Sequence, residues 1–381
     1  MSRRDPRLAL VVATLAMAFV GFGASLALIP DRVDELGHGD GAVGLAAGLF
    51  PLGAIVGRLL SGRLIDRAGS RSAMAWGIGL TAAGSFALAL PYLGGLLMAR
   101  SLQGFGDGIL YTAAAASTLD LAPPERRGQA LGWLSAGIWS GLSLGAALGG
   151  VLPGLAAAGL VFGVLTLGSA ALVPLLPKGL VNRGSAPLVL VAREAIRPGA
   201  VVGLTNLGYA AITGFVVVLA ADRFDHGNWV LTAWGVTLLL VRGCFGWVAD
   251  RIAPQRGLDM AHVVLATGVL IVAAAPHLWV AVVGAMIAAF GHSLPYPILV
   301  TTTIDRSGEE RRGAVLGTMT AGFDITVAVA LFAFGLISSW FGTPTVFVVA
   351  AVGIGAANLI ARPLHLPRTR RRDELAPLGT R

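Results

Sequence analysis

The chain has 381 residues and a formal net charge of +8, yet only 13% of its residues are charged, 55% are hydrophobic and the mean hydropathy is +0.78. A soluble domain carries about 25% charged residues, so a water-facing surface is excluded. Continuous apolar runs of about 20 residues make the chain an all-α integral membrane protein, because a membrane barrel would show alternating strands of about 10.

The first predicted span, 8–28, follows the basic start MSRR and could pass for a secretion signal. Eleven further apolar segments follow it, so it is read as a span and not as a cleaved peptide. The others fall at 41–63, 72–91, 94–119, 129–151, 157–176, 199–221, 228–249, 258–276, 279–304, 314–337 and 344–361. Twelve spans put both termini on one side. That side collects 23 of the Lys and Arg residues and the opposite side only Arg32 and Arg223, so both termini and the long middle loop are expected in the cytoplasm. The basic charge thus follows membrane topology, and no nucleic-acid partner is expected. The organisation expected is a six-helix bundle over 1–176, a cytoplasmic linker over 177–198, a second six-helix bundle over 199–361 and a basic tail over 362–381 lying on anionic headgroups. The one cysteine, Cys244, allows no internal disulfide and is read as a small packing residue.

The two bundles are related. RLLSGRLIDR at 58–67 recurs as RGCFGWVADR at 242–251, pairing Arg58 with Arg242, Gly62 with Gly246, Asp66 with Asp250 and Arg67 with Arg251. LDLAPPERRGQALG at 119–132 recurs as IDRSGEERRGAVLG at 304–317, pairing Asp120 with Asp305. Both copies begin on the same side, so the pseudo-symmetry axis runs along the membrane normal. The 185-residue offset also aligns Asp107 with His292, Tyr111 with Tyr296 and Trp139 with Asp324 at mid-membrane depth. An ionisable group there costs several kcal/mol unless paired or hydrated, and is functional by default. Asp107 and Asp324 are therefore candidates to load and release protons, with Arg100, about 10 Å outward of Asp107 at 1.5 Å per residue, and His292 as their neighbours. The alternative is a fixed pair, such as Asp107 with Arg100 or His292, that only holds helices together. Phe22, Ser25, Gln103, Tyr111, Trp139, Asn206, Tyr209 and Tyr296 complete an expected substrate cavity with these groups, since aromatic rings with a few amides suit an amphipathic organic molecule. Arg58 and Arg242 are expected to snorkel to the cytoplasmic interface.

GRLIDRAGSR, between spans 2 and 3, resembles the signature of the major facilitator superfamily, with Gly62, Asp66, Arg67, Gly69 and Arg71 filling Gly-x-x-x-Asp-Arg-x-Gly-x-Arg. Arg100-x-x-Gln103-Gly104-x-Gly106 is similar to the family's span-4 motif, and GLSLGAALGG resembles the span-5 motif of drug–proton antiporters, with Ala146 where proline is expected. Span 11 and the chain length resemble the sugar- and opine-exporter-like branch. The resemblance implies twelve transmembrane helices in two pseudo-symmetric six-helix bundles, and a cytoplasmic gate at Gly62, Asp66, Arg67, Gly69, Arg71, Asp120, Asp250, Arg251 and Asp305. In the family this acid caps span 11 and pairs with arginines when the transporter is open outward. The glycines of span 5, spaced by four, serve close packing or a surface along which helices slide.

No phosphate-binding glycine loop, His-Glu-x-x-His pattern or cysteine pair occurs, so ATP, metal, cofactor and enzyme chemistry find no support. The expected function is proton-coupled export of a small organic molecule by alternating access. The alternatives are import by proton symport or uniport of a sugar-like or organic-acid nutrient, and a non-transporting membrane sensor. A monomer in a bacterial inner membrane is expected, the source being read from one lysine among 28 basic residues and abundant Gly and Ala.

Overall fold

The computed structural model describes residues 6–123, 127–176, 192–245, 252–308 and 312–362. Every regular element among them is helical, as expected where lipid offers the backbone no hydrogen-bond partner. In chain order these are α1 (Pro6–Glu35), α2 (Asp40–Ala87), α3 (Leu93–Leu121), α4 (Arg127–Gly149), α5 (Leu155–Ser169, continued by a 3-10 turn), α6 (Arg193–Thr205), α7 (Leu207–Arg223), α8 (Gly227–Phe245), α9 (Pro254–Ala274), α10 (Leu278–His292), α11 (Pro295–Ser307), α12 (Arg312–Phe341) and α13 (Thr343–Ala361). Among the described residues, nine helical stretches are long and apolar enough to cross a membrane, and Gly227–Val241 is a shorter apolar helix. The outward faces are apolar in mid-helix, with Val164 and Val329 each 62% exposed. Lipid covers such faces at no cost.

Three features depart from the expected span pattern. The segment between spans 2 and 3, expected as a loop, continues helically, so α2 runs for 48 residues. These residues form two helical arms that meet at Gly69, each to be measured against a hydrocarbon core on its own. Gly69 redirects the helix: its φ of 81° lies in the left-handed region that glycine enters without a Cβ clash. Expected span 7 is broken at Asn206, between α6 and α7. There the side-chain amide donates to the Val202 carbonyl at 2.7 Å and competes with the helical ladder. Expected span 10 is interrupted at Ser293–Leu294, ahead of Pro295, which has no N–H to continue the helical ladder, although Ser293 and Leu294 keep helical backbone angles.

Backbone proximity sets the packing. α3 is gripped by both arms of α2: a Cβ at Gly53 would meet the Ser101 carbonyl, and one at Gly106 the Thr81 amide, each at 2.5 Å. The four-spaced glycines of α4 lie against α1, where Gly149 faces the Ala24 carbonyl. Their nearest neighbours are on α1, so close packing of α4 on α1 is what they provide here. The 177–191 part of the linker, the tail from 363 onward, Asp250 and Arg251 lie outside the described residues, as does the side chain of Arg242.

Candidate functional site

An ion pair sits at the centre. Arg58 of α2 pairs with Asp324 of α12, a carboxylate buried to 4% exposure. The Arg58 guanidinium also lies over the Tyr111 ring, 4.9 Å from its centroid, and acts electrostatically on Asp107. This corrects the expectation for Arg58. Reading depth along one helix placed it near the interface, free to snorkel; the structure turns it inward to neutralise an acid 266 residues away in sequence. An unpaired charge buried beside apolar helices costs several kcal/mol, so the pairing wins.

Arg100 makes no such pair. It is fully buried, donates Nη1 to Gln103 Oε1 at 2.9 Å and Nε to the Ala46 carbonyl at 3.2 Å, and leaves Nη2 without a partner. Its guanidinium stands 4.7 Å from the centroid of Phe50 and 5.4 Å from that of Phe22, two rings stacked 4.1 Å apart. Cation–π contact substitutes for the carboxylate that the sequence offered in Asp107. Gln103 passes the network on to Ser85 through Nε2 at 3.0 Å. Asp107 lines a small cavity with Ala18, Phe22, Phe50, Thr81, Ser85 and Gln103. It accepts no hydrogen bond among the described residues, although it is 4% exposed.

Across from this cavity, aromatic rings surround His292. Tyr209 stacks on it at 6.2 Å, Trp234 lies at 5.3 Å and Trp139 meets it edge-on at 6.4 Å. Tyr209 also touches Trp139 at 6.0 Å and Phe323 at 5.7 Å. Trp139 therefore joins this cluster and not the Asp324 ion pair that its repeat partner occupies. Tyr111 and Tyr296 lie within electrostatic reach of one another. Ser25 turns away: its hydroxyl donates to the Gly21 carbonyl at 2.8 Å. Asn206 sits at the helix break, with Oδ1 buried and unpartnered. Sequence reasoning missed Phe50, Trp234 and Phe323. Their only signal was an aromatic residue at mid-span, which lipid-facing positions share.

The two ends of the bundle differ. At the end bearing Asp40, α2 and α12 touch backbone to backbone. A Cβ on Gly44 would lie 2.5 Å from the Leu331 carbonyl and 2.6 Å from Gly335 Cα. Ser338 donates to Asp40 and lies 3.0 Å from the Thr343 hydroxyl. α4 and α8 close beside them, with Gly235 against the Ser143 side chain and Gly150 against Asn228. At the opposite end a Cβ on Gly62, Gly132 or Gly317 would meet nothing within 4 Å. Asp66, Arg67, Asp120 and Asp305 are exposed there, Arg71 is half-buried and Gly69 is buried. Among the described residues the bundle is closed at the Asp40 end by these contacts, and none of the three glycines at the Asp66 end makes a comparable approach.

A family model described as Major Facilitator Superfamily matches residues 10–254 and 200–379. The chain belongs to this superfamily. As a member it is a multi-pass membrane transporter and not an enzyme. An uncharacterised MFS-type transporter of Salmonella typhimurium is 26% identical over 376 residues, covering 93% of this chain and 95% of the relative. The nucleoside transporter NupG shares the fold at a TM-score of 0.77 and 10% identity, with 94% of this chain and 99% of that one covered. The human organic anion transporter MFSD10 does so at a TM-score of 0.72 and 16% identity, with 94% and 100% covered. At such identities the two solved structures speak for the transporter's fold alone. What it carries has to be argued from Asp107, Asp324 and the rings about them.

Proposed function

We propose that this transporter is a proton-coupled exporter of a small organic molecule, working by alternating access in a bacterial inner membrane. Twelve crossings, with α2 making two, divide into bundles over 1–176 and 199–361, and the basic Asp66 end with both termini faces the cytoplasm. One observation carries the reading. Of the two buried acids, Asp324 is already ion-paired with Arg58, whereas Asp107 lines a cavity beside Thr81, Ser85 and Gln103, feels Arg58 only electrostatically and accepts no hydrogen bond among the described residues. A buried carboxylate that nothing holds in a fixed pair is the better candidate to exchange a proton.

In this reading Asp107 holds the proton and Asp324 holds Arg58. Arg58 is the cation that feels both acids, so the charge on Asp107 sets how firmly Arg58 ties α2 to α12. Substrate enters between the Phe22–Phe50 stack and the rings around His292, and meets the same Asp107. Proton and substrate then use the acid in turn, which is the requirement for antiport. The resemblance of span 5 to drug–proton antiporters supports export over import.

Transport by the purified chain in proteoliposomes, screened with a compound panel under an imposed pH gradient, tests this. An acid interior in inside-out vesicles is expected to drive uptake, and Asp107→Asn to abolish the response to the gradient. Uptake indifferent to both the gradient and Asp107→Asn would sink the proposal. Acceleration by the opposite gradient would identify a symporter.

A further inference from the structure

A second buried polar cluster lies outside this cavity, on α9. His262 is 2% exposed, and its Nε2 lies 2.9 Å from the Thr205 hydroxyl, at the last residue of α6. Thr205 has one hydroxyl hydrogen, which it donates to the Val201 carbonyl at 2.7 Å. Its oxygen is therefore the acceptor, and His262 Nε2 carries a hydrogen. That choice leaves Nδ1 as the acceptor of the neutral ring, and it is buried without a donor. Such a nitrogen is completed by a proton or by a water. Asp259, one turn earlier on α9, faces the ring electrostatically and is held by Asn358 of α13 at 3.0 Å and by Gln255 at 3.1 Å. The other titratable side chains on α9 and on the elements that touch it are Arg256 of α9, Arg193, Glu194 and Arg197 of α6, Tyr209, Asp222 and Arg223 of α7, His292 of α10, and Tyr296, Asp305 and Arg306 of α11; α13 carries none. Asp259 alone among these acts on His262.

The position gives this nitrogen a consequence. Thr205 directly precedes the break at Asn206, whose Oδ1 is also buried and unpartnered. One turn beyond, Tyr209 stacks on His292 and touches Trp139 of α4. The hydrogen bond from His262 is thus the side-chain grip of α9 on the α6–α7 break, and that break carries a ring of the central cavity.

We propose that His262 is a second proton-binding site, loaded at Nδ1 from the Asp259 side, which sets the geometry of the α6–α7 break independently of Asp107. Loading turns the ring into an imidazolium facing the Asp259 carboxylate and strengthens its donation to Thr205. The break is then held more tightly in the loaded state.

The test needs no substrate. In the full chain, labelled with ring-15N histidine and held in detergent, the signal absent from His262→Gln is expected to be the Nε2-protonated tautomer at neutral pH. It should pass to the doubly protonated form as the pH is lowered, and Asp259→Asn should displace that transition. Hydrogen exchange at residues 206–210, corrected for its intrinsic pH dependence, should slow across the same transition. Thr205→Val should keep the titration and lose the slowing. A His262 signal that does not titrate shows a structural histidine with a bound water and overturns the proposal, as does exchange at the break that ignores the titration. Asp107→Asn should leave both readouts intact, so failure here is separate from failure of the transport reading.

Discussion

Gly44→Ala tests whether the contact at the Asp40 end belongs to one of two alternating states. The added methyl carbon would sit 2.6 Å from Gly335 Cα and 2.5 Å from the Leu331 carbonyl oxygen. Carbon atoms in contact prefer about 3.5–4.0 Å, so α2 and α12 must part locally by about 1 Å. Overpacking of this kind costs typically about 1–3 kcal/mol. The substitution also favours the helix, by about 1 kcal/mol, but α2 is helical in both states and that gain cancels. What remains acts on the closed state of this end alone, and lowers its population relative to the open state by about 5- to 150-fold.

A Cys244→Ser background with Ala47→Cys as reporter reads this population, because Ala47 is buried in α2. Labelling by a membrane-impermeant maleimide from the Asp40 side should accelerate by that factor. Gly335→Ala should do likewise, and the double variant should fall short of the sum, because the first methyl already parts the helices. Gly62→Ala is the control: its Cβ meets nothing within 4 Å in this state. It acts only when the Asp66 end closes, so it should leave labelling unchanged or slow it. Equal acceleration by Gly44→Ala and Gly62→Ala, or none by either, refutes the reasoning.

Three further outcomes follow from the buried charges and the glycine stripe. Arg58→Gln and Asp324→Asn each leave a buried charge unpaired and should cost about 3–5 kcal/mol, while the double variant should recover most of it; thermal unfolding in detergent reads this, and additive losses would show the pair is not coupled. Arg100→Lys keeps the charge but not the plane between Phe22 and Phe50, and should lose about 1–2 kcal/mol; unchanged unfolding would mean the rings contribute nothing. Gly145→Ala forces a methyl into the Val20 carbonyl of α1 and should lower the unfolding midpoint without altering maleimide labelling, since both helices lie on one side of the alternating contact.

The fold was legible because charge is rare in lipid. Asp66 and Arg67 recurring at 250 and 251 divided the chain before any helix was placed, and the same register brought Asp107, Tyr111, His292 and Tyr296 to one depth. Partners were not legible. A hydropathy profile gives depth but not azimuth, so Arg58 looked like an interfacial residue and Asp324 like a free acid. Only the packing of α2 on α12 shows that they face each other. Asn206 was read as a cavity amide; its Nδ2 is engaged by the Val202 carbonyl of its own helix, which sequence could not show. The helical continuation through residues 63–68 was hidden for a local reason: a glycine-bearing, charged segment reads as a loop, and helix persists up to Gly69, the one residue with the required φ.

The contact of α2 with α12 and that of α4 with α8 differ in chemistry. Where α2 meets α12, the contact carries the Arg58–Asp324 pair, the Asp40–Ser338 hydrogen bond and the Gly44–Gly335 approach. The first two depend on charge or on hydrogen-bond partners that part when the helices part, and the third on close backbone packing. Where α4 and α8 approach the same interface, the contact is glycine against small polar side chains and a cluster of rings about His292. Rings tolerate sliding, because dispersion and edge-to-face attraction change slowly with offset, while an ion pair in a low dielectric does not. The α2–α12 contact is therefore the one more sensitive to buried charge, and the aromatic contact the one whose attraction changes least with offset.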